Sequence, residues 1–380
     1  MHQASRTAVP ACAPQVHPGA RAERWADALR GLGFLAAFYA FLLSIELMSV
    51  AFNLLGGAFA TQLIRQTAAP LSGLMIGLLT TSIVQSSSLT TSLLVSLVCT
   101  GLLPLRLAIP IVMGANIGTT VTNTIVSLGH VSRRAEFQRA FAAATVHDIF
   151  NILTVAVLFP LECLFHPIEH AAIWLAQAFA GVGGLQLVSP LKSILSPVAG
   201  IIAGGLPYAL PLLLLALVML FVALNAMVKI MRSLVMSRVE RLFERVLFRN
   251  DLAGFTFGWL LTSVVQSSSV TTSLVVPLAG TGILSVRRIF PYTLGANIGT
   301  TITAILASFA LGKPAGIMVA AAHLVFNVAG MLIFYPARSI PIGLACRLGH
   351  AAGRSRRHTI LVLATYVGFY SLPLLYILLH

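Results

Sequence analysis

Gln85-Ser86-Ser87-Ser88 is followed by Leu89-Thr90-Thr91-Ser92, and the run recurs as Gln266-Ser267-Ser268-Ser269 followed by Val270-Thr271-Thr272-Ser273. Seven of the eight residues are identical, and the copies lie 181 positions apart. Hydroxyl and carbonyl oxygens are hard, neutral ligands for an alkali cation. Exposed N–H groups at a helix start, at the positive end of its dipole, favour an anion. Two such clusters meeting in one place would bind a small anion together with sodium. Membrane helices also use Ser and Thr to bond to one another. That use would explain one isolated Ser-Ser-Ser, but duplication of the whole octapeptide favours a binding site.

The same offset carries Gly114-Ala115-Asn116-Ile117-Gly118-Thr119-Thr120 onto Gly295-Ala296-Asn297-Ile298-Gly299-Thr300-Thr301 without a mismatch. A third pair, His147 with Asn151 and His323 with Asn327, follows at an offset of 176. Three ordered matches mark an internal duplication, which in a membrane protein places a site near a pseudo-twofold axis. Beside His147 stands Asp148, which the second copy replaces with Leu324. An ionisable residue within a membrane is a functional candidate by default. Lining the site and holding helices together by hydrogen bonds are both open to this group. Glu46, some sixteen residues into the first apolar helix, reads as structural, near the outer interface.

Hydrophobic residues make up 58% of the chain and charged residues 9%, with a mean hydropathy of +0.93. A soluble domain carries about 25% charged residues, so this is an integral membrane protein, expected to be all-α and polytopic. The net charge of +14 would suggest a nucleic-acid partner in a soluble chain. In the topology below, only Arg65, Arg106, Lys192 and Lys313 face outward and the other 20 Lys and Arg face the cytoplasm, so the positive-inside rule explains the excess. Cys12, Cys99, Cys163 and Cys346 have no metal-ligand spacing, so neither a disulfide framework nor a transition-metal site is expected.

Residues 1–24 lack the apolar core of a secretory signal and read as a disordered cytoplasmic tail, with a transit peptide as the alternative. The first spanning helix is expected from Leu29 to Leu55. Pro70 to Leu103 has 34 residues, too long for one crossing and too short for two. Split at Gln85–Ser88, it gives two helical arms of roughly 15 residues, about 22 Å each, hence a re-entrant hairpin with a polar tip. Asp251 to Leu284 repeats the arrangement. Leu107 to Leu128 and Ile289 to Leu311 carry the Gly-Ala-Asn-Ile-Gly motif and read as helices unwound at the glycines; close packing is the other use of such a pair. Further spans are expected at Phe141–Leu164, Leu206–Ile230, Ala315–Ala337 and Thr359–Leu379, with a basic amphipathic stretch at Arg232–Arg249. The organisation is then a tail (1–24), a first transport repeat (25–164), a Pro/Gly-rich extracellular connection (165–205), a second, inverted repeat (206–337), and a basic cytoplasmic loop with a final helix (338–380). Three crossings separate the first helices of the two halves, so the halves are inverted, which suits alternating access.

At these residues the chain resembles the type II sodium-dependent phosphate cotransporters, from about residue 30 onward and most densely in Ile109–Leu161 and Val265–Tyr335. The duplicated Gln-Ser-Ser-Ser is that family's signature. The resemblance implies sodium-driven uptake of inorganic phosphate across a plasma membrane, with substrate and sodium held by Gln85–Ser88 and Gln266–Ser269. It extends less firmly to Thr90, Thr91, Asn116, Thr271, Thr272 and Asn297, with Thr119 and Thr300 beside them. It implies no cofactor beyond sodium as coupling ion. The expected partners are phosphate, sodium and the bilayer, without nucleic acid, and self-association is left open. Residues 165–205 lack the glycosylation sites and paired cysteines of the large vertebrate loop, which suggests a bacterial member in the inner membrane, N-terminus inside. The chain ends after one helix where vertebrate relatives continue, so its C-terminus is expected outside.

Two other functions compete. A sodium-coupled carboxylate carrier would need an Arg near the tips, and the nearest are Arg106 and Arg249 at the hairpin ends. An intramembrane hydrolase using Ser, His147 and Asp148 would lack a Gly-x-Ser-x-Gly elbow and has no reason to duplicate its nucleophile. An enzyme is not expected. No acid occurs between Glu46 and Glu136 or after Asp251, so neutral oxygens must bind the cation, and two sodium ions per divalent phosphate are expected. Asp148 is the exception that could add a charge.

Overall fold

Long apolar runs without alternating polarity fold as helices, and in the described residues of a computed structural model (20–181, 184–247 and 250–379) there are seventeen α-helices and no strand. They are α1 (Ala20–Thr67), α2 (Pro70–Val84), α3 (Ser87–Cys99), α4 (Leu105–Gly118), α5 (Val121–Ser127) and α6 (Arg134–Phe165). Then come α7 (Pro167–Gly181), α8 (Gly184–Gly205), α9 (Ala209–Leu247), α10 (Asp251–Val265), α11 (Ser268–Ser273) and α12 (Val275–Gly280). The last are α13 (Val286–Gly299), α14 (Thr301–Leu311), α15 (Pro314–Phe334), α16 (Ser339–Gly353) and α17 (Arg356–Leu379). Seven described helices are long and apolar enough to cross a membrane: Ala28–Thr67, Leu105–His130, Arg134–Phe165, Ala209–Leu234, Val286–Leu311, Pro314–Phe334 and Arg356–Leu379.

The two hairpins form where Gln and Ser interrupt the apolar sequence. α2 ends at Gln85 and α10 at Gln266, both left-handed at φ 58° and 61°. Ser86 and Ser267 then cap the next helix, accepting from the N–H of Leu89 at 3.2 Å and Val270 at 3.3 Å. The second arm of hairpin two is divided at Leu274, because Pro277 offers no N–H to the carbonyl of Ser273.

First arms pack within their own half and second arms on the other half. A Cβ placed on Gly77 or Gly114 would lie 2.0 Å from the carbonyl oxygens of Ile111 and Leu74, so α2 and α4 touch backbone to backbone. Gly258 and Gly295 do the same for α10 and α13, at 2.1 Å from Tyr292 O and 2.0 Å from Phe255 O. By contrast α3 lies on α14 and α15, and α12 on α5 and α6. The largest apolar cluster joins α1 to α9 and α8 through residues such as Phe41, Ile45, Met48, Leu195, Leu220 and Met227.

Several expectations change. Gly114–Gly118 and Gly295–Gly299 are helical, not unwound; their glycines serve close packing. The interruption falls just after them, at Thr119–Thr120 and Thr300, and the backbone stays in the right-handed region. The described part of the Pro/Gly-rich connection at 165–205 is mostly helical, as α7 and α8: Pro167 suits the first turn of a helix, and Ile168, Ala172 and Ala176 bury one face. Most of the basic loop after residue 337 is α16, whose Gly349 and Gly353 seat it on Gln138 and Ala142 of α6. Of the expected tail, residues 1–19 lie outside the described residues, and α1 already begins at Ala20, with a non-helical Gly56 next to the expected end of the span. α9 continues through Arg232 to Leu247, while the side chains from residue 235 that would define an amphipathic face lie outside those described.

Candidate functional site

The hairpin tips face each other across a cavity of about 260 Å³. Gln85 to Ser88 and Gln266 to Ser269 all line it, joined by Thr119, Thr122 and Phe221, Leu224, Asn225 and Val228 of α9. Among the described residues that line it there is no Lys, Arg, His, Asp or Glu.

Each Gln pins its tip. The Gln85 backbone N–H donates to Thr81 O at 2.7 Å, its amide nitrogen donates to Ser82 O, and its Oε1 accepts from Thr122 at 2.6 Å. Gln266 makes the equivalent bonds to Thr262 O (2.7 Å), Ser263 O and Thr303 (2.7 Å). A non-glycine residue in the left-handed region is uncommon and is held by its surroundings, here by three hydrogen bonds at each tip. The third serine of each motif crosses to the other half. Ser88 donates to Thr303 Oγ1 at 3.2 Å and Ser269 to Thr119 O at 2.9 Å. The second serine is different. Ser87 and Ser268 are buried and line the cavity, and their hydroxyls make no hydrogen bond to another described residue.

The threonines behind the tips brace the arms. Thr81 and Thr90 share a hydroxyl bond of 2.9 Å, and Thr262 and Thr271 one of 2.7 Å. Thr91 bonds back to Ser87 O at 2.9 Å, while Thr272 bonds Ser268 O at 2.7 Å and the side chain of Asn123 at 3.1 Å. Thr119 and Thr300 turn back on Ala115 O and Ala296 O; of the two, only Thr119 lines the cavity. Thr90, Thr91, Thr271, Thr272 and Thr300 are thus placed behind it.

Asn116, Asn297, His147, Asn151, His323 and Asn327 form a buried knot between the halves. Asn297 donates to Asn151 Oδ1 at 3.2 Å and Asn327 Oδ1 at 3.1 Å, leaving its own Oδ1 for His147 Nε2 at 3.1 Å. His323 Nε2 lies 3.4 Å from Asn116 Oδ1, and Asn151 and Asn327 donate to Asn116 O and Asn297 O at 2.8 and 3.0 Å. None of the six is among the described residues that line the cavity, and their bonds join helices of the two halves. Asp148 accepts from Tyr366 (2.8 Å) and Tyr370 (3.0 Å), and Tyr370 also lies 3.2 Å from Thr120. With His147 on Asn297 and Asp148 on two tyrosines, no Ser-His-Asp relay exists.

Glu46 accepts from Ser196 of α8 at 3.2 Å, a structural contact. Glu162, His166 and Glu169 converge at the α6–α7 corner, away from the cavity. Glu162 is occupied there, accepting from the N–H groups of Ile168 and Glu169 at 2.7 and 3.1 Å.

Sequence reasoning missed Thr122 and Thr303, although they stand 181 positions apart like the motifs they serve. It expected the helix at Leu206–Ile230 but missed that α9 lines the cavity, for which the signal is a lone Asn225 in an apolar span. It missed Tyr366 and Tyr370, for which no local signal exists.

An all-helical chain with seven potential spans and a polar cavity between two short-helix tips is a multi-pass membrane protein of the transporter class. The chain belongs to the Na+/Pi-cotransporter family, whose model matches residues 40–187 and 219–345. It is 36% identical over 413 residues to sodium-dependent phosphate transport protein 2A of Rattus norvegicus, covering 87% of this chain and 64% of the relative. To sodium-dependent phosphate transport protein 2B of Homo sapiens it is 34% identical over 443 residues, covering 90% and 64%. The chain thus spans a little under two thirds of these relatives' length. No solved structure matches it.

Proposed function

We propose that the chain is a sodium-coupled symporter that imports inorganic phosphate across the plasma membrane by alternating access, with substrate and sodium bound between the two Gln-Ser-Ser-Ser tips. The observation that carries this reading is the cavity lined by both motifs, with the unpartnered hydroxyls of Ser87 and Ser268 at equivalent positions. A further support is that the described lining residues carry no charge of either sign. A multivalent anion entering such a site without cations would lose its hydration uncompensated. Sodium entering with it supplies the balancing charge, and the cap N–H groups and hydroxyls complete both coordination shells. The absence of an Arg among the lining residues speaks against a carboxylate carrier.

The matched bonds of the two tips agree with two repeats related by a pseudo-twofold axis, which we read as inverted across the membrane with the N-terminus inside. The test is radiolabelled phosphate uptake into proteoliposomes, with and without an inward sodium gradient, in competition with succinate. Uptake that needs the gradient and ignores succinate is expected. Sodium-independent uptake, or inhibition by succinate at concentrations matching phosphate, would refute the assignment.

A further inference from the structure

The base of each hairpin's second arm ends in the same way. Cys99 closes α3 and Gly280 closes α12, at the 181-residue offset. The following turns make matching bonds: Leu103 N–H to Leu97 O at 3.3 Å, and Leu284 N–H to Leu278 O at 3.1 Å. These bonds do not involve the carbonyls of Cys99 and Gly280. Both carbonyls instead accept from a cation of the opposite half, Cys99 O from Lys313 Nζ at 2.9 Å and Gly280 O from Arg139 Nε and Nη2 at 3.0 and 2.6 Å.

A cation at a helix C-terminus meets the negative end of the dipole and closes a free carbonyl. Simple inheritance of a cap through the duplication does not account for the pair. At offsets of 181 and 176, Arg139 corresponds to Ala320 and Ala315, and Lys313 to Ser132 and Phe137. Different residues have been placed to do one job. The first arms are already fixed to their own half by the glycine contacts of α2 with α4 and α10 with α13. Each hairpin is therefore held at one arm by its own half and at the other by its opposite, with the left-handed Gln at the joint.

We infer that Lys313 and Arg139 are positioning residues that tether the base of each second arm to the opposite half and so set the two serine tips against each other. This rests on the transport reading above. A different role for Lys313 would be to attract anions from solution, and the two roles separate cleanly. A Cβ on Gly316 would lie 2.9 Å from Cys99 Sγ, the spacing of a disulfide, so Gly316→Cys can replace the Lys313 tether by a covalent one.

The experiment uses the full chain in proteoliposomes, with sodium-driven phosphate uptake by the unmodified protein measured first. If that uptake is absent, the transport reading fails, and the tether is then read from thermal unfolding of the same variants. Lys313→Met should raise KM for both sodium and phosphate by about tenfold at unchanged protein level. Oxidation of Lys313→Met/Gly316→Cys should bring both back to within about twofold of the unmodified protein, and reductant should undo it. In the unfolding assay, the midpoint lost in Lys313→Met should return on oxidation. A cross-linked double variant that stays as impaired as Lys313→Met in whichever readout applies would overturn the inference. Should Gly316→Cys not fold, Arg139 decides. Arg139→Met must raise both KM values and Arg139→Lys must restore them, and unchanged KM values in Arg139→Met would overturn the inference equally.

Discussion

Ser87→Ala and Ser268→Ala offer the sharpest perturbation of the proposed site. Both side chains are nearly inaccessible, at 4% and 2% exposure, and neither hydroxyl is spent on the protein. Removing either therefore breaks no internal hydrogen bond and should leave folding and membrane insertion intact. What is lost is one donor or one neutral oxygen ligand facing the bound ions. A hydrogen bond to a charged partner in a buried site is worth about 1–3 kcal/mol, which corresponds to roughly five- to 150-fold in affinity. Because the two positions are equivalent in the duplicated motif, the two losses should be of similar size. Ser88→Ala is the contrasting control. It removes the 3.2 Å bond to Thr303 and should cost about 0.5–1.5 kcal/mol of stability. The assay is sodium-dependent phosphate uptake in proteoliposomes, with KM for phosphate and for sodium determined at matched protein content. Unaltered KM values in one of the two Ala variants would confine the site to one half and refute the two-tip cavity as the binding site.

Gly114→Ala and Gly295→Ala should each prevent stable folding, since a Cβ would sit 2.0 Å from a carbonyl oxygen of α2 or α10; overpacking costs about 1–3 kcal/mol or more, and a gel-filtration profile in detergent checks it. A monodisperse Gly114→Ala protein with unchanged thermal stability would count against the helix contact. Two sodium ions per divalent phosphate make an electroneutral cycle, so uptake at fixed gradients should be indifferent to membrane potential; Asp148, held by Tyr366 and Tyr370, is the carboxylate that could add a charge. Uptake that accelerates at inside-negative potential, and loses that response in Asp148→Asn, would refute the electroneutral expectation. Single cysteines replacing Lys192 and Arg241 should label from opposite membrane faces, Lys192 from outside, and labelling of both from one face would end the inverted-repeat reading.

The duplicated polar runs were readable because a 181-residue offset survives in the sequence, and both Gln-Ser-Ser-Ser runs do line the cavity. The seven long apolar spans were readable from length and composition. Gly114 and Gly118 were not, because unwinding and close packing ask for the same residue; only the position of the Leu74 carbonyl tells them apart. The bonds of the histidine–asparagine knot that cross between the halves join residues 146 to 207 positions apart, and the Asp148–Tyr370 contact spans 222, so nothing local announces either. Asn225 lies in the second repeat but corresponds to Ser44, not an Asn, at the 181-residue offset, and its place in the cavity follows from the packing of α9 against α1 and α10.

Phosphate binding to the purified protein in detergent, titrated calorimetrically in sodium and in potassium, reaches the joint occupation of the two-tip cavity without the complications of transport. Phosphate should bind in sodium and not in potassium, and should raise the affinity for sodium by the same factor by which sodium raises the affinity for phosphate. Ser87→Ala and Ser268→Ala should weaken both affinities together. Phosphate binding of equal strength in potassium, or a loss confined to one ligand in both variants, would contradict a shared site for anion and cation between the two tips.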